Sequence, residues 1–335
     1  MNYRVLGKTG LKISALGFGG IPIQRIDAEG TKQLMHKMMA AGVNYIDSAR
    51  GYTVSEEYLG YALEGIREHF ILATKSMARD KEGMARDIDI SLKNFRTDYI
   101  DLYQFHNPNM AQLEQILAPG GAMEAMLEAK AAGKIGHIGI TLHSLDVFQK
   151  VLEYDWVESV MYPYNIVENQ GEATIAKCAE KNIGFIAMKP LAGGALEDAT
   201  LAMRFICANP NVSVVIPGMA EEKELNQNLA AANDTAPLSA EELEKMEWIR
   251  KEMGVNFCRR CGYCAPCTSG IGIPAALIAE GYSLRYGLQT YAEQRYAASG
   301  APASSCVDCG LCEERCPYHL PIRQMLRHVA QTFGK

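Results

Sequence analysis

The sequence predicts an α/β chain: a (β/α)8 TIM barrel with an N-terminal β-hairpin, followed by a smaller, helical, cysteine-rich domain. Three observations carry this expectation. Short apolar runs alternate with helical stretches eight times over about 235 residues, the length of 335 residues exceeds one ordinary domain, and eight of the ten cysteines fall in two short runs near the C-terminus.

The hairpin is read from Tyr3 to Leu6 and Leu11 to Ser14, joined by a Gly-Lys-Thr-Gly turn. Buried parallel strands are expected at Ala15–Gly19, Tyr45–Asp47, Phe70–Lys75, Ile100–His106, His137–Thr141, Ser159–Met161, Gly184–Lys189 and Ser213–Pro217. Helical patterns lie between them, among them Met84–Phe95, Gln112–Ala132 and Leu145–Tyr154. A doubly wound open sheet alternates in the same way, but it has fewer strands and a glycine fingerprint after the first. Here that turn reads Gly17-Phe-Gly-Gly-Ile-Pro22, which does not match GxGxxG. The barrel is therefore assigned to residues 1–237. Residues 238–255 form a connecting helix, acidic over Ala240–Met253, and residues 256–335 form the cysteine domain.

Hydrophobic residues make up 48% and charged residues 21%, which excludes a disordered or collagen-like chain. No apolar run approaches the length of a membrane span, and no apolar N-terminal segment precedes a cleavage site, so a cytoplasmic location is expected. The net charge of −6 divides into +3 for residues 256–335 and −9 for the rest. An acidic major part argues against nucleic acid as a partner. The basic tail suits docking of an acidic redox protein, and equally an ordinary solvated surface.

The first cysteine run, Cys258, Cys261, Cys264 and Cys267, reads CxxCxxCxxC; the second, Cys306, Cys309, Cys312 and Cys316, reads CxxCxxCxxxCP. The second is the spacing of bacterial two-cluster iron–sulfur proteins. Disulfides do not suit a chain without an export signal, and zinc with four thiolates would not need a third cysteine at two-residue spacing inside each run. Cys178 and Cys207 stand alone in helical patterns and read as buried core thiols.

In a TIM barrel, chemistry gathers at the C-terminal ends of the strands. Asp47 ends the second strand, Lys75 the third and His106 the fourth, while Tyr52 follows Asp47 in the second βα loop. Each has an ordinary reading by itself, such as a helix cap or a satisfied core histidine; four together at neighbouring strand ends point to a site.

The stretches Gly42-Val-Asn-Tyr-Ile-Asp-Ser-Ala-Arg-Gly-Tyr52, Ser55-Glu-Glu-Tyr-Leu-Gly60, Ala73-Thr-Lys75 and Asp98-Tyr-Ile-Asp-Leu-Tyr-Gln-Phe-His106 resemble the signatures of the aldo-keto reductase family. The resemblance implies a catalytic tetrad of Asp47, Tyr52, Lys75 and His106 and a nicotinamide cofactor, NADPH or NADH. The physical reason is that carbonyl reduction leaves an alkoxide which must be protonated and stabilised as it forms. Tyr52 would supply the proton, Lys75 would draw its pKa down, Asp47 would hold the ammonium, and His106 would orient the carbonyl oxygen.

For the cofactor, the resemblance implies contacts from Thr141 and His143 after the fifth strand and from Pro217, Gly218, Gln227 and Asn228 around the eighth. Several positions depart from the family pattern. Glu224 stands where an arginine would meet a 2′-phosphate, Gly218 where a lysine is usual, and Lys223 is the nearest substitute. Met161 and Met188 replace a carboxamide-binding glutamine and a ring-stacking tyrosine. Lys189 suits either a substrate or phosphate contact or a solvated strand end. The loop Asn107–Ala122 gives a Gly/Pro-rich outline without recognisable chemistry.

By analogy with ferredoxins, Cys258, Cys261 and Cys264 would share one [4Fe–4S] cluster with Cys316, and Cys306, Cys309 and Cys312 a second with Cys267. Thr268 stands where a proline is usual. The 38 residues between Cys267 and Cys306 are helical in pattern, at Ala275–Glu280 and Gln289–Ala297, so the C-terminal domain is expected to be α-helical and ferredoxin-like. The whole chain resembles the ferredoxin-bearing aldo-keto reductases of bacteria and archaea. That resemblance implies an oxidoreductase acting on a small carbonyl or alcohol, with two clusters exchanging electrons with a ferredoxin- or flavodoxin-like partner. The alternatives are an electron-transfer protein whose barrel is mainly a scaffold, and a reductase with purely structural clusters.

Overall fold

The computed structural model describes residues Met1–Gly334 and divides them into two compact units. The first comprises Met1–Asn165, Asn169–Leu191 and Asp198–Leu238; the second comprises Ile166–Glu168, Ala192–Glu197 and the chain from Ser239 onward.

The first unit opens with β1 (Tyr3–Val5) antiparallel to β2 (Lys12–Ser14). The hairpin's Leu6 and Ile13 are fully buried in one core cluster with Tyr45, Leu102 and Ile186, so it stoppers the barrel's N-terminal end. A Cβ at Gly184 would lie 2.5 Å from Leu6 Cδ1, which is why glycine opens the strand beneath the plug. Eight parallel strands then form the barrel: β3 (Phe18–Gly19), β4 (Tyr45–Asp47), β5 (Ile71–Ser76), β6 (Ile100–His106), β7 (Ile135–Thr141), β8 (Ser159–Pro163), β9 (Gly184–Met188) and β10 (Val214–Ile216). Bridges between Leu16 and Val215 and between Gly19 and Gly218 bring the two end strands together, so the eightfold count holds and the barrel is nearly closed.

The helices that cover it are α1 (Ala28–Ala40), α2 (Ser55–Ala62), α3 (Lys81–Phe95), α4 (Met110–Leu117), α5 (Ala122–Ala131), α6 (Leu145–Val151), α7 (Glu172–Glu180), α8 (Ala199–Cys207) and α9 (Glu222–Asn233). The single helix expected over Gln112–Ala132 is in fact two. Pro119 and Gly120, the latter at φ +77°, break the chain between α4 and α5, and Asn109 with Gln112 forms a capping box that starts α4 earlier. The stretch 107–122 is thus a capped helix and a short turn, not a featureless loop.

One half-buried carboxylate at the foot of the barrel, Glu158, makes stability depend on pH. Glu158 accepts hydrogen bonds from His137 at 2.8 Å, Lys130 at 2.5 Å and the Ile138 N–H at 3.1 Å. Burial alone would raise its pKa, but these donors outweigh it and hold the carboxyl down to about 2. Because the folded pKa lies below the ordinary 4.5, the stabilisation is complete above that value and is lost as pH falls toward about 2. Glu158→Gln is expected to lower the unfolding free energy by about 2 kcal/mol at pH 7 and by almost nothing near pH 2, measured by urea titration at both.

The second unit is helical: α10 (Ala240–Gly254), α11 (Ile273–Leu284), α12 (Gln289–Ala297), α13 (Leu311–Glu314) and α14 (Ile322–Phe333). Ser239 and Glu242 cap α10 reciprocally. Ile273, Leu277, Ile322, Leu326 and Val329 pack into one core that also contains Cys264, Cys312 and Cys316. Among the described residues, no helix is long and apolar enough to cross a membrane.

Candidate functional site

The parallel register sets the tetrad at one end of the barrel. Gly19 pairs with Asp47, Asp47 with Ala73, Lys75 with Gln104, and His106 with Thr141. Lys75 Nζ donates to Asp47 Oδ2 at 2.5 Å and to the Ser48 carbonyl at 2.6 Å, and both charged side chains are almost wholly buried. The same ammonium lies 5.0 Å from the centre of the Tyr52 ring, which meets the His106 ring edge-on at 6.1 Å. The structure thus brings all four sequence-predicted residues together. Burial pushes the Asp47 carboxyl up and the Lys75 ammonium down, while their mutual attraction opposes both shifts, so the two titrate as a pair.

Several supporting residues were not singled out from sequence. Gln104 is buried and donates to Asp47 Oδ1 at 3.1 Å. Its signal is period-two spacing: it stands two residues before His106 on the same face of β6. Arg50 bonds Glu56 at 2.7 Å, and the buried Glu56 also accepts from Thr74, Ser91 and Asn94. That carboxylate pins the Asp47–Ser55 loop carrying Tyr52 against α2 and α3. Arg79, after β5, donates to the His106 carbonyl at 2.8 Å. A mouth with a buried cation beside a phenol and an imidazole can protonate and stabilise a developing alkoxide.

In the second unit, the cysteines line two small cavities. Cys258, Cys261, Cys264 and Cys316 line the first, together with Arg259 and Tyr318. Cys267, Cys306, Cys309 and Cys312 line the second, which Cys264 and Arg323 also reach. Burial pushes the Cys264 thiol up to about 12 and raises Cys258, Cys261 and Cys312 as well. Cys309 is exposed and held down by the Thr268 hydroxyl, 3.5 Å from its Sγ. Thr268, the departure from proline in the first run, thus serves a cysteine of the second.

These geometries agree with comparisons to known proteins. The model of the aldo/keto reductase family matches residues 15–201, more than half of the chain. The chain belongs to the aldo-keto reductase family. A 4Fe-4S dicluster domain matches residues 257–321. L-galactose dehydrogenase from Arabidopsis thaliana is 28% identical over 71% of this chain and 90% of its own length. An aldo-keto reductase from Bacillus halodurans, solved in its holo form, superposes with a TM-score of 0.65 at 26% identity, covering 74% of this chain and 96% of that one. A putative aldo-keto reductase from Pseudomonas aeruginosa gives 0.62 at 27%, covering 69% and 94%.

In this aldo-keto reductase the loop after β10 is tied to the loop after β3: Gly19 N–H donates to the Pro217 carbonyl at 2.9 Å, and Pro22 packs close against Gly218. Asn228 is buried in α9, and Gln227 is exposed. Glu224 does not leave its place empty. Its carboxylate accepts from the Ala220 and Glu221 N–H groups at 2.6 and 3.0 Å and pairs with Arg25 at 2.8 Å. Glu221 and Glu224 thus form a reciprocal capping box at the start of α9. Thr141 is buried, and its hydroxyl accepts from the Asn107 N–H at 3.1 Å, so it fixes the loop after His106. His143 is half-buried just beyond β7. Met161 and Met188 are both packed in the barrel core.

Proposed function

We propose that the chain reduces a small carbonyl compound, or oxidises the corresponding alcohol, with a nicotinamide cofactor, and that two [4Fe–4S] clusters in the second unit exchange electrons one at a time with a ferredoxin- or flavodoxin-like partner in the cytoplasm. The observation that carries the reading is the buried Asp47–Lys75 pair set 5.0 Å from the Tyr52 ring. When bound, the nicotinamide supplies the hydride. Tyr52 gives its phenolic proton to the carbonyl oxygen as negative charge grows there. Lys75 stabilises the phenolate left behind, Asp47 and Gln104 hold Lys75 in place, and His106 orients the carbonyl oxygen. In the direction of alcohol oxidation the same groups run in reverse, a sense that the relative named as a sugar dehydrogenase supports.

For the clusters, the cavities support sharing Cys258, Cys261, Cys264 and Cys316 in one and Cys267, Cys306, Cys309 and Cys312 in the other. The Glu224 carboxylate, paired with Arg25 where an arginine would meet a 2′-phosphate, favours NADH over NADPH, and Glu224→Ala is expected to narrow that preference roughly tenfold. The test is an anaerobic titration of the iron-reconstituted chain with each nucleotide, following nicotinamide absorbance and cluster EPR together. Oxidation of NADH with reduction of the clusters supports a single redox circuit. Carbonyl reduction with silent clusters would favour structural clusters, and failure to bind either nucleotide would sink the reductase reading.

A further inference from the structure

The second unit contains a buried ion pair that neither the tetrad nor cysteine ligation requires. Glu168 is fully buried, and its carboxylate pairs with the guanidinium of Arg260, itself 8% exposed. Both residues belong to the second unit. Arg260 sits inside the first ligand loop, between Cys258 and Cys261, at φ +61°, a region that non-glycine residues enter only when surroundings hold them there. Its neighbour Arg259 donates to the Val167 carbonyl and lies 4.0 Å from the centre of the Tyr318 ring, which lines the first cavity. The short segment Ile166–Glu168 is thus gripped from the ligand loop by two consecutive arginines. A buried pair costs desolvation and gives little net stability, so its retention beside a redox site asks for another reason. The second cavity offers a contrast: the ion pair there, Arg323 with Glu313, is 39% and 24% exposed and screened by water.

We propose that Glu168 and Arg260 are positioning residues of the first cluster, holding the Cys258–Cys261 loop in its ligating conformation and setting that cluster's reduction potential apart from the second's. The inference rests on the assignment of the clusters to the two cavities. A cation beside a cluster stabilises its reduced, more negative form, and a carboxylate does the reverse; in dry surroundings neither is screened. Neutralising Glu168 therefore leaves an uncompensated cation and raises the potential. Neutralising Arg260 lowers it.

The experiment is iron and sulfide analysis with an EPR-monitored potentiometric titration of the anaerobically reconstituted full chain, as wild type, Glu168→Gln, Arg260→Gln and Glu313→Gln. Two cluster signals in the wild type uphold the underlying assignment, and a wild type that takes up no cluster removes it before any variant is considered. The expected result is that one midpoint moves positive in Glu168→Gln and negative in Arg260→Gln, while the other stays fixed and Glu313→Gln leaves the first unmoved. Should a variant fail to hold that cluster, loss of half the iron with the surviving signal at its wild-type potential supports the holding role. Full iron with both midpoints unchanged, shifts of the same sign in both variants, or loss of all the iron would overturn the proposal.

Discussion

Replacing Tyr52 with phenylalanine is expected to lower kcat for carbonyl reduction by about 10²- to 10⁴-fold, the range general acid catalysis supplies, or about 3–5 kcal/mol of barrel-mouth chemistry. The ring remains, so its edge-on contact with His106 and its place 5.0 Å from the Lys75 ammonium are retained. Only the hydroxyl is lost, and with it the proton. KM and thermal unfolding should therefore change little, and equal loss in kcat and kcat/KM would identify an interaction made in the transition state. Lys75→Met should match the kinetic loss but add a stability cost of about 3–5 kcal/mol, because it strands the buried Asp47 carboxylate. Comparing kinetics and unfolding for both variants separates the proton donor from the group that tunes it. A Tyr52→Phe enzyme with wild-type kcat would remove Tyr52 from its role.

The legible part of this molecule was the part written in local patterns. Tyr45–Asp47 and Ile100–His106 coincide with β4 and β6 because unbroken apolar runs bounded by turn residues have few other ways to be buried. Once those strands lie side by side, ladder register alone places Asp47, Lys75 and His106 at one rim, so the tetrad follows from the fold. Gln104 reads in the sequence as an interruption inside a strand, and only the register opposite Lys75 gives it a purpose. The sequence pattern runs as one helix over Gln112–Ala132 because its apolar periodicity persists across Pro119 and Gly120, where backbone geometry overrides pattern.

What stayed hidden is chemistry made by distant partners. Glu224 reads in the sequence only as a missing arginine; its bonds to the Ala220 and Glu221 N–H groups are a local capping box, but its partner Arg25 lies 199 residues away. Arg260 and Glu168, 92 residues apart, carry no motif at all. The cysteines are the opposite case. Their spacing makes the cluster reading available before any fold is known, yet which four enclose each cavity depends on how Cys267 and Cys316 cross between the two runs.

That crossing makes the second unit depend on its metal, and stripping the clusters by chelation under oxidation is expected to unfold residues 256–334 while the barrel remains folded. Cys264, Cys312 and Cys316 belong to the unit's core together with Ile273, Leu277, Leu326 and Val329, so the cluster sites lie inside an apolar core of the unit. Without metal, thiols that burial keeps neutral, Cys264 pushed up to about 12 among them, would face one another across pockets walled mostly by thiol and hydrocarbon, with no bond to hold the two cysteine runs together. Metal binding and folding are then one equilibrium here. Hydrogen exchange should show loss of protection across α11, α12 and α14 in the stripped protein, with β4–β7 and α3 as protected as before. Protection that survives in α11 and α14 without iron would mean that the helices close over the sites unaided, and that the thiols are guests of the core instead of its foundation.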